Sequence, residues 1–242
     1  MMKIIVLNIF YIVSMTKHSK VVVFDLDETL GNFVELGIFC DALEKFNKTK
    51  LSLKQFFELI DLFYHFCRPN ILNILSYLVK KRTQHECSKI MIYTNNNGPR
   101  EWTENICKYF DYKLNAKIFD NIVAAFKVNG RKVELSRTSH EKSVGDLIRC
   151  TQIHKDTKIC FLDDRFHPKM KGNNVFYINV KPYTYNYSFD DMIDMYLDKY
   201  GSTYASSVDM SGFTQKMKSF MKEYNYHTTE KTDAEINVDI II

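Results

Sequence analysis

The sequence predicts an α/β fold with a Rossmann-like core, in which a mostly parallel sheet carries helices on both faces. Short runs of β-branched and aromatic residues alternate along the chain with longer segments whose apolar residues recur at helical spacing. Two of the short runs end in paired aspartates. With 242 residues, 45% of them hydrophobic and 26% charged, the chain is long enough to bury a core of this kind.

The elements of the first half are read from local patterns. They are, in order, a buried strand at 20–24, helices at 33–46 and 52–66, a helix opened by Arg68-Pro69, a strand at 89–93, and a helix that follows Gly98-Pro99 and ends near 110. Apolar residues at every third or fourth position define the helices. Pro69 is suited to the first turn of its helix, because its missing N–H is not needed there.

The second half continues the alternation. Its elements are a hairpin at 126–133, a helix at 141–150, buried strands at 158–162 and 175–180, and helices at 189–200 and 211–224. Asn129-Gly130 is typical of a two-residue hairpin turn. These elements predict an amino-terminal extension at 1–17, a core at 18–200 with a small helical insertion at about 31–66, and a carboxyl-terminal tail at 201–242.

The composition excludes several classes of protein. The 8 Gly and 4 Pro exclude collagen-like and low-complexity chains. The 33 basic and 29 acidic residues are too balanced to indicate nucleic-acid binding. The 6 cysteines include no CxxC pair, which argues against a zinc knuckle or a thioredoxin-type site. We expect reduced, mostly buried thiols in an intracellular protein, cytoplasmic or nuclear.

The amino-terminal segment is apolar from Ile4 to Val13, apart from Asn8. The run is shorter than the roughly 20 apolar residues of a membrane span, so no membrane span is expected. Its length suits a signal-peptide core, but no small-x-small cleavage site follows. Two alternatives are favoured over secretion: translation begins at Met15, or the segment adds a strand or helix to the core.

Paired aspartates follow two of the predicted strands. Asp25 and Asp27 come just after the first strand, and Asp163 and Asp164 follow the strand at 158–162. Because ligands of open α/β sheets bind at the carboxyl ends of strands, we expect these carboxylates to converge. Such a cluster is unfavourable without a cation, and all-oxygen ligands favour Mg²⁺. The competing interpretation, a surface cap for each pair, is weaker for two pairs than for one.

Two other positions offer groups that bind phosphate. Thr94 supplies a hydroxyl, and Asn95 begins a run of backbone N–H groups after the second strand. Lys142 lies near the start of a predicted helix, 21 positions before Asp163, and brings a positive charge. Taken alone, each of these residues is more often an exposed polar side chain.

Taken together, these segments resemble a known superfamily. Its four motifs are matched in order by Phe24–Leu30, Tyr93–Asn95, Lys142 and Phe161–Asp164. They resemble those of the haloacid dehalogenase (HAD) superfamily of phosphohydrolases, and the resemblance covers about residues 18–182.

The DxDET form of the first motif points to one branch of that superfamily. With Arg68-Pro69 and Val133–Arg137, it is similar to the NLI-interacting-factor-like phosphatases, which act on the RNA polymerase II C-terminal domain. That branch places its lysine just before Leu-Ser-Arg, where this chain has Val133 with Lys132 beside it. Lys132 is therefore the alternative to Lys142. Divergent members occur in large DNA viruses, and the composition fits such a source.

The resemblance implies a Mg²⁺-dependent phosphomonoester hydrolase, with protein serine/threonine phosphatase as the expected activity. Asp25 is implied to be the nucleophile that forms an aspartyl-phosphate, and Asp27 the acid and then the base. The implied metal ligands are Asp25, Asp27 through its main-chain carbonyl, Asp163 and Asp164. The implied phosphate-binding residues are Thr94, Asn95 and Lys142.

The substrate class stays open at this point. A small insertion leaves the site open, which suits phosphoserine on a peptide, and the only expected partner is the phosphorylated substrate. A nucleotide, nucleic-acid-end or small-metabolite phosphatase is the alternative, and basic segments at 80–82 and 169–171 would permit it, although short charge runs usually form a solvated face. A non-catalytic interaction module is a third hypothesis. No catalytic role is expected for His65, His140 or His167.

Overall fold

A computed structural model describes residues 19–204 and 210–224 of the chain. Within these residues the architecture is α/β, with a five-stranded, all-parallel sheet and seven α-helices, which confirms the predicted fold class. The apolar amino-terminal run and the residues beyond Tyr224 lie outside the described part of the chain. No helix in that part is long and apolar enough to cross a membrane.

The elements follow one another along the chain as a regular alternation of strands and helices. They are β1 (Lys20–Phe24), α1 (Val34–Asn47), α2 (Leu53–Leu62), a 3-10 turn (Tyr64–Phe66), α3 (Ile71–Thr83), β2 (Lys89–Tyr93), α4 (Arg100–Leu114), β3 (Asn121–Val123), β4 (Lys127–Val128), β5 (Arg131–Lys132), α5 (Val144–Thr151), β6 (Lys158–Asp163), a 3-10 turn (Pro168–Met170), β7 (Val175–Asn179), α6 (Phe189–Tyr204) and α7 (Met210–Lys222).

The order of strands in the main sheet is β3-β2-β1-β6-β7. The central strand β1 pairs in parallel with β2 and β6, so that Val23 lies between Met91 and Phe161. All three side chains are fully buried. Burial of a side chain of this size contributes about 1.5–3 kcal/mol, which explains why so apolar a strand occupies the centre.

The strand order reverses direction at β1. From β1 the chain proceeds to β2 and β3 on one side, and it later enters β6 on the other side. In open α/β sheets, a crevice for ligands forms outside the carboxyl ends of the strands at such a switch point. The residues that follow β1 and β6 are therefore the ones placed to bind a ligand.

The described residues form two compact units. The core unit comprises residues 19–26 and 72–180, and the insertion unit comprises 27–71 together with 181–204 and 210–224. Within the insertion unit, α1 packs against both α6 and α7, with the rings of Phe46 and Phe213 4.8 Å apart. The described carboxyl-terminal helices α6 and α7 thus belong to the same unit as the helical insertion. The tail predicted at 201–242 lies partly outside the described residues.

Three local features differ from the sequence prediction. Strand β3 was not predicted, and its three residues are fixed by pairing with β2. The strand at β7 is an edge strand and not a buried one, with Phe176 75% exposed. Helix α3 begins at Ile71, after the left-handed residue Asn70 (φ 63°), so Pro69 precedes the helix and does not lie in its first turn.

The predicted hairpin and the predicted thiols are both found. Strands β4 and β5 are joined by Asn129 (φ 49°) and Gly130 (φ 77°), the two positive φ angles of the tight turn that Asn-Gly favours. None of the six cysteines, all of which lie in the described part of the chain, forms a disulfide. Burial raises the pKa of the Cys40 and Cys107 thiols, which keeps both protonated and unreactive at neutral pH.

Candidate metal and phosphate site

Three carboxylates converge at the switch point of the sheet. Asp25 directly follows β1, Asp163 ends β6 and Asp164 comes next. One carboxylate oxygen of each lies within 4.8 Å of the others. The Asp25 N–H donates to the carbonyl of Leu162 (2.9 Å), which extends the β1–β6 ladder and fixes the first acid beside the other two. The structure therefore brings together three of the four predicted acids.

The turn after β6 is held in place by its neighbour β7. The Asn179 side-chain amide donates to the backbone carbonyls of Asp163 and Asp164, both at 2.9 Å. The Val180 N–H adds a third bond to the Asp163 carbonyl (3.1 Å). These bonds hold the backbone of Asp163 and Asp164 at both carbonyls, and they therefore restrict where the two side chains can lie.

Lys142 lies inside the carboxylate cluster. Its Nζ is 2.5 Å from an Asp25 oxygen and 2.7 Å from an Asp163 oxygen, and the whole residue is buried. The ammonium group also lies 5.8 Å from the ring centres of Tyr93 and Phe161, on the strands that flank β1. A buried ammonium group needs such partners, because an unpaired charge in this position is costly.

The helix that follows Lys142 fixes its backbone. Ser143 caps α5 by accepting the Asp146 N–H (3.1 Å), and its own N–H donates to the Tyr93 hydroxyl (3.1 Å). Burial raises the pKa of Tyr93 to about 12, so its hydroxyl stays neutral and accepts this bond. The helix predicted at 141–150 thus starts three residues later, at Val144, and leaves Lys142 in the non-helical segment before it.

The Asp163 carboxylate contacts Lys142, His167 and the Arg165 N–H. Burial by itself raises the pKa of its carboxyl group, but His167, Lys142 and the Arg165 N–H outweigh that effect and hold the pKa below its usual range. The Arg165 N–H lies 2.8 Å from one carboxylate oxygen, while Lys142 Nζ contacts the other. Asp163 is therefore ionised at neutral pH, as a metal-binding carboxylate must be.

The predicted phosphate-binding loop follows β2, the other neighbour of β1. Thr94 is buried, and its Oγ1 accepts the Asn96 N–H (2.9 Å) within the loop. The Gly98 N–H is likewise used inside the loop, by the Asn96 side chain (2.8 Å). Of the N–H groups expected to bind phosphate, these two already have loop partners. The Thr94 hydroxyl keeps its proton to donate, because Oγ1 acts only as an acceptor here.

Arg137 lies beside these residues, and no role was predicted for it from the sequence. It has no solvent exposure. Its two terminal nitrogens donate to the Thr94 and Ala124 carbonyls (3.0 and 2.8 Å) and to the Asn95 Oδ1 and the His140 carbonyl (2.8 and 2.9 Å). One guanidinium group thus ties the loops after β2 and β3 to the segment that leads to Lys142. The Leu-Ser-Arg resemblance marked this segment, but nothing in the sequence indicated these contacts.

His167 is a second residue whose position the sequence did not reveal. Its Nε2 lies 3.4 Å from an Asp163 oxygen, and its side chain is mostly buried. The His167 N–H donates to the Tyr177 hydroxyl (3.2 Å), which fixes the backbone of this turn. The spacing of four residues from Asp163 was the available signal, but such a spacing predicts contact only within a helix, and this segment is a loop.

The remaining predicted site residues are placed as follows. Asp27 is the first residue of the insertion unit and lies two positions after Asp25 in the chain. Lys132, the alternative to Lys142, is exposed in β5, and its Nζ lies 5.3 Å from the Phe126 ring centre. The residue that the structure places among the carboxylates is therefore Lys142.

The donor set of the cluster fits a hard divalent cation. Three ionised carboxylates outnumber the cations that contact them, which are the buried Lys142 and the exposed Arg165, whose Nε lies 4.0 Å from an Asp164 oxygen. The remaining negative charge favours a bound cation. All three donors are carboxylate oxygens. Among the described residues, no cysteine sulfur and no histidine nitrogen belongs to this cluster. Oxygen-only coordination is typical of Mg²⁺ and Ca²⁺ and not of zinc or copper.

Comparison with known proteins adds no assignment, because no protein-family model, curated protein or solved structure matches this chain.

Proposed function

We propose that the protein is a Mg²⁺-dependent phosphomonoester hydrolase that works through an aspartyl-phosphate on Asp25. The observation that carries the proposal is the position of Lys142, whose ammonium group bridges Asp25 and Asp163 beside a third carboxylate at the switch point of the sheet. A nucleophilic carboxylate, a fixed cation for phosphoryl oxygens and a set of metal ligands are the parts that this chemistry requires. The resemblance of the four motifs to HAD phosphohydrolases supports the same reaction.

In the first step, an Asp25 oxygen attacks phosphorus and the bond from phosphorus to the ester oxygen breaks. Asp27 gives its proton to the departing oxygen, which leaves as an alcohol or phenol. Lys142 holds the Asp25 carboxylate in one orientation through its 2.5 Å contact and offers positive charge to the equatorial phosphoryl oxygens. The Thr94 hydroxyl donates to one of the same oxygens.

In the second step, water attacks the phosphorus of the aspartyl-phosphate and releases inorganic phosphate, while the Asp25 carboxylate is regenerated. Asp27, now ionised, takes the proton of that water, so that each residue returns to its starting state. Asp25, Asp163 and Asp164 are the residues that would hold Mg²⁺, with the Asp27 carbonyl as the implied fourth group. The ion supplies charge neutralisation that lets an anionic ester approach three carboxylates.

A hydrolysis assay with an aryl phosphate tests the proposal. We expect phosphate release by the full chain in the presence of Mg²⁺ and loss of release when EDTA removes the ion. Asp25→Asn should lower the rate at least about a thousandfold, since it removes the nucleophile. Asp156→Asn is the matched control, because Asp156 is an exposed carboxylate outside the cluster.

Two outcomes would contradict the proposal. Turnover by Asp25→Asn at the wild-type rate would remove the covalent mechanism, and a wild-type protein that releases no phosphate from aryl phosphates, phosphopeptides, nucleotides or sugar phosphates would favour the non-catalytic interaction module. The same panel separates a protein phosphatase from a nucleotide or small-metabolite phosphatase.

A further inference from the structure

The β4–β5 hairpin carries a pair of lysines that face each other. Lys127 and Lys132 are direct partners in the antiparallel ladder, so their side chains lie on the same face. Their ammonium groups lie 5.2 and 5.3 Å from the centre of one ring, that of Phe126. Both lysines are exposed. Two positive charges are thus gathered over one aromatic ring at the surface of the core unit.

This lysine pair is joined to the phosphate-binding loop through Arg137. The Phe126 ring packs edge-on against the His140 ring, with centroids 5.4 Å apart. The His140 carbonyl accepts a bond from the same Arg137 nitrogen that donates to Asn95. The hairpin is therefore connected to the loop that carries Thr94 and Asn95 through two residues, His140 and Arg137.

No acid of the described chain neutralises the two lysines. Neither Lys127 nor Lys132 has an ion pair among the described residues. The acids nearest in sequence have other cations: Glu134 lies 3.8 Å from Arg100, Asp120 lies 2.8 Å from Arg82, and Glu141 lies 2.7 Å from Lys169. Like charges placed directly across an antiparallel ladder repel each other, and an anion between them relieves the repulsion.

We propose that Lys127 and Lys132 form a second anion site, which binds a negative group of the substrate beside the phosphoryl group that is cleaved. The proposal rests on the proposed phosphatase function and adds to it the class of substrate, a phosphopeptide that carries another acidic or phosphorylated side chain. The reacting phosphoryl group binds at Asp25 and Lys142, and the second anion binds at the hairpin.

The surroundings of the lysine pair favour a peptide over a nucleic acid. Two ammonium groups lie over the Phe126 ring and the His140 ring packs against it, so a base that stacked on this ring would compete with contacts that the ring already makes. Leu135, three residues beyond the end of β5, is 75% exposed and offers an apolar contact for a peptide side chain. A single-stranded nucleic acid gains more from aromatic stacking than from an aliphatic contact.

Peptide binding tests the proposal independently of turnover. The probes are a phosphoserine peptide with neutral flanks and a series that places one glutamate at successive positions on either side. Affinities are measured by fluorescence anisotropy with full-length Asp25→Asn protein, and KM values with the wild type. We expect at least one glutamate position to improve affinity about tenfold, the size of one or two screened charge pairs near a surface.

The decisive comparison is between two lysine pairs. Lys127→Gln with Lys132→Gln should abolish the gain from glutamate. The matched control is Lys20→Gln with Lys158→Gln, because these exposed lysines are also direct cross-strand partners but lie at the amino end of the sheet. The control should keep the whole gain. Equal thermal unfolding midpoints would show that both double variants are folded.

Three results would overturn the proposal. One is a gain from glutamate that survives loss of the hairpin lysines, and another is no gain at any glutamate position. The third is tighter binding of a 5′-phosphorylated single-stranded oligonucleotide than of every peptide, with the same dependence on the two lysines. That result would assign the site to nucleic acid. Absence of turnover with a hairpin-dependent gain in binding would count against the proposed hydrolysis alone.

Discussion

Lys142 gives the site its chemical character. A buried lysine that contacts two carboxylates compensates part of their repulsion, and its position between aromatic rings of β2 and β6 leaves it little freedom. The sequence supplied the residue but left Lys132 as an alternative, because the spacing to Asp163 does not say how the intervening chain folds. The path of that segment, which is held by Arg137 and by the Ser143 cap, determines which lysine lies among the carboxylates.

Arg137 is expected to act as a positioning residue for the phosphate loop. In Arg137→Lys, one ammonium group cannot reproduce bonds to four acceptors spread around a planar guanidinium. The unfolding free energy should fall by about 2–4 kcal/mol, because buried acceptors lose their donors. Inhibition by inorganic phosphate should also weaken about tenfold, since the Thr94–Asn95 loop loses its support.

Arg82→Lys is the control for this prediction. Arg82 also donates to two backbone carbonyls, those of Lys117 and Ile118, and to Asp120. Its replacement should lower stability without weakening inhibition by phosphate. If both variants bind phosphate equally well, Arg137 has a structural role only.

Asp146 links the site to the pH dependence of stability. Burial raises the pKa of its carboxyl group, but the Thr138 N–H and Arg149 outweigh burial and hold the pKa below its usual range. A carboxylate whose pKa is lower in the folded state stabilises the fold above the unfolded pKa of about 3.9, and this contribution is lost as pH falls through the folded pKa.

Asp146→Asn should therefore lower the unfolding free energy at pH 7 by about 1–3 kcal/mol, the usual effect of losing charged hydrogen bonds. Urea unfolding at pH 7 and at successively lower pH measures the difference from the wild type. The difference should shrink as Asp146 becomes protonated in the wild type. A difference that stays constant down to about pH 3 would contradict the assignment of stability to the ionised carboxylate.

At the scale of elements, the local sequence predicted the hairpin turn well. Asn129-Gly130 specified the hairpin, and both residues adopt the positive φ angles that the turn requires. The long helices were found from their apolar spacing, within a few residues at each end. Strand β3 was missed because its three residues show no pattern, and pairing with β2 alone makes them a strand. The edge position of β7 depends in the same way on its neighbours.

Substitutions at two glycines should change the free energy of unfolding in opposite directions. Gly130 has a φ of 77° in open space, so Gly130→Ala places a Cβ in a strained backbone without a clash. It should lower the unfolding free energy by about 1 kcal/mol. Gly145 lies in α5, where an added Cβ would meet only the flexible end of Arg149 at 3.4 Å.

Gly145→Ala should accordingly raise the unfolding free energy by about 0.5–1 kcal/mol, because alanine loses less backbone entropy in a helix than glycine does. Chemical denaturation of the two variants beside the wild type gives both values. Stabilisation by Gly130→Ala would show that the hairpin turn does not hold its positive φ angles in solution.

At the scale of the whole chain, the sequence predicted the fold class, and three of the four predicted acids lie together with Lys142. Acids after two apolar strands predict a cluster wherever those strands are neighbours, and β1 and β6 are neighbours here. The division into two compact units was harder to predict from the sequence. Packing of α1 against α6 and α7 joins segments more than 140 positions apart, as the Lys45–Glu223 contact illustrates. No local pattern carries that information.

The central claim is that Asp25 becomes covalently phosphorylated during turnover. Its most direct test is an acid quench of the Mg²⁺-loaded protein during hydrolysis of a ³²P-labelled phosphopeptide, followed by mapping of the label. We expect an alkali-labile phosphoryl group on the peptide that contains Asp25, and no label in Asp25→Asn. Label on a different residue, or a wild-type protein that releases phosphate without ever carrying label, would contradict it.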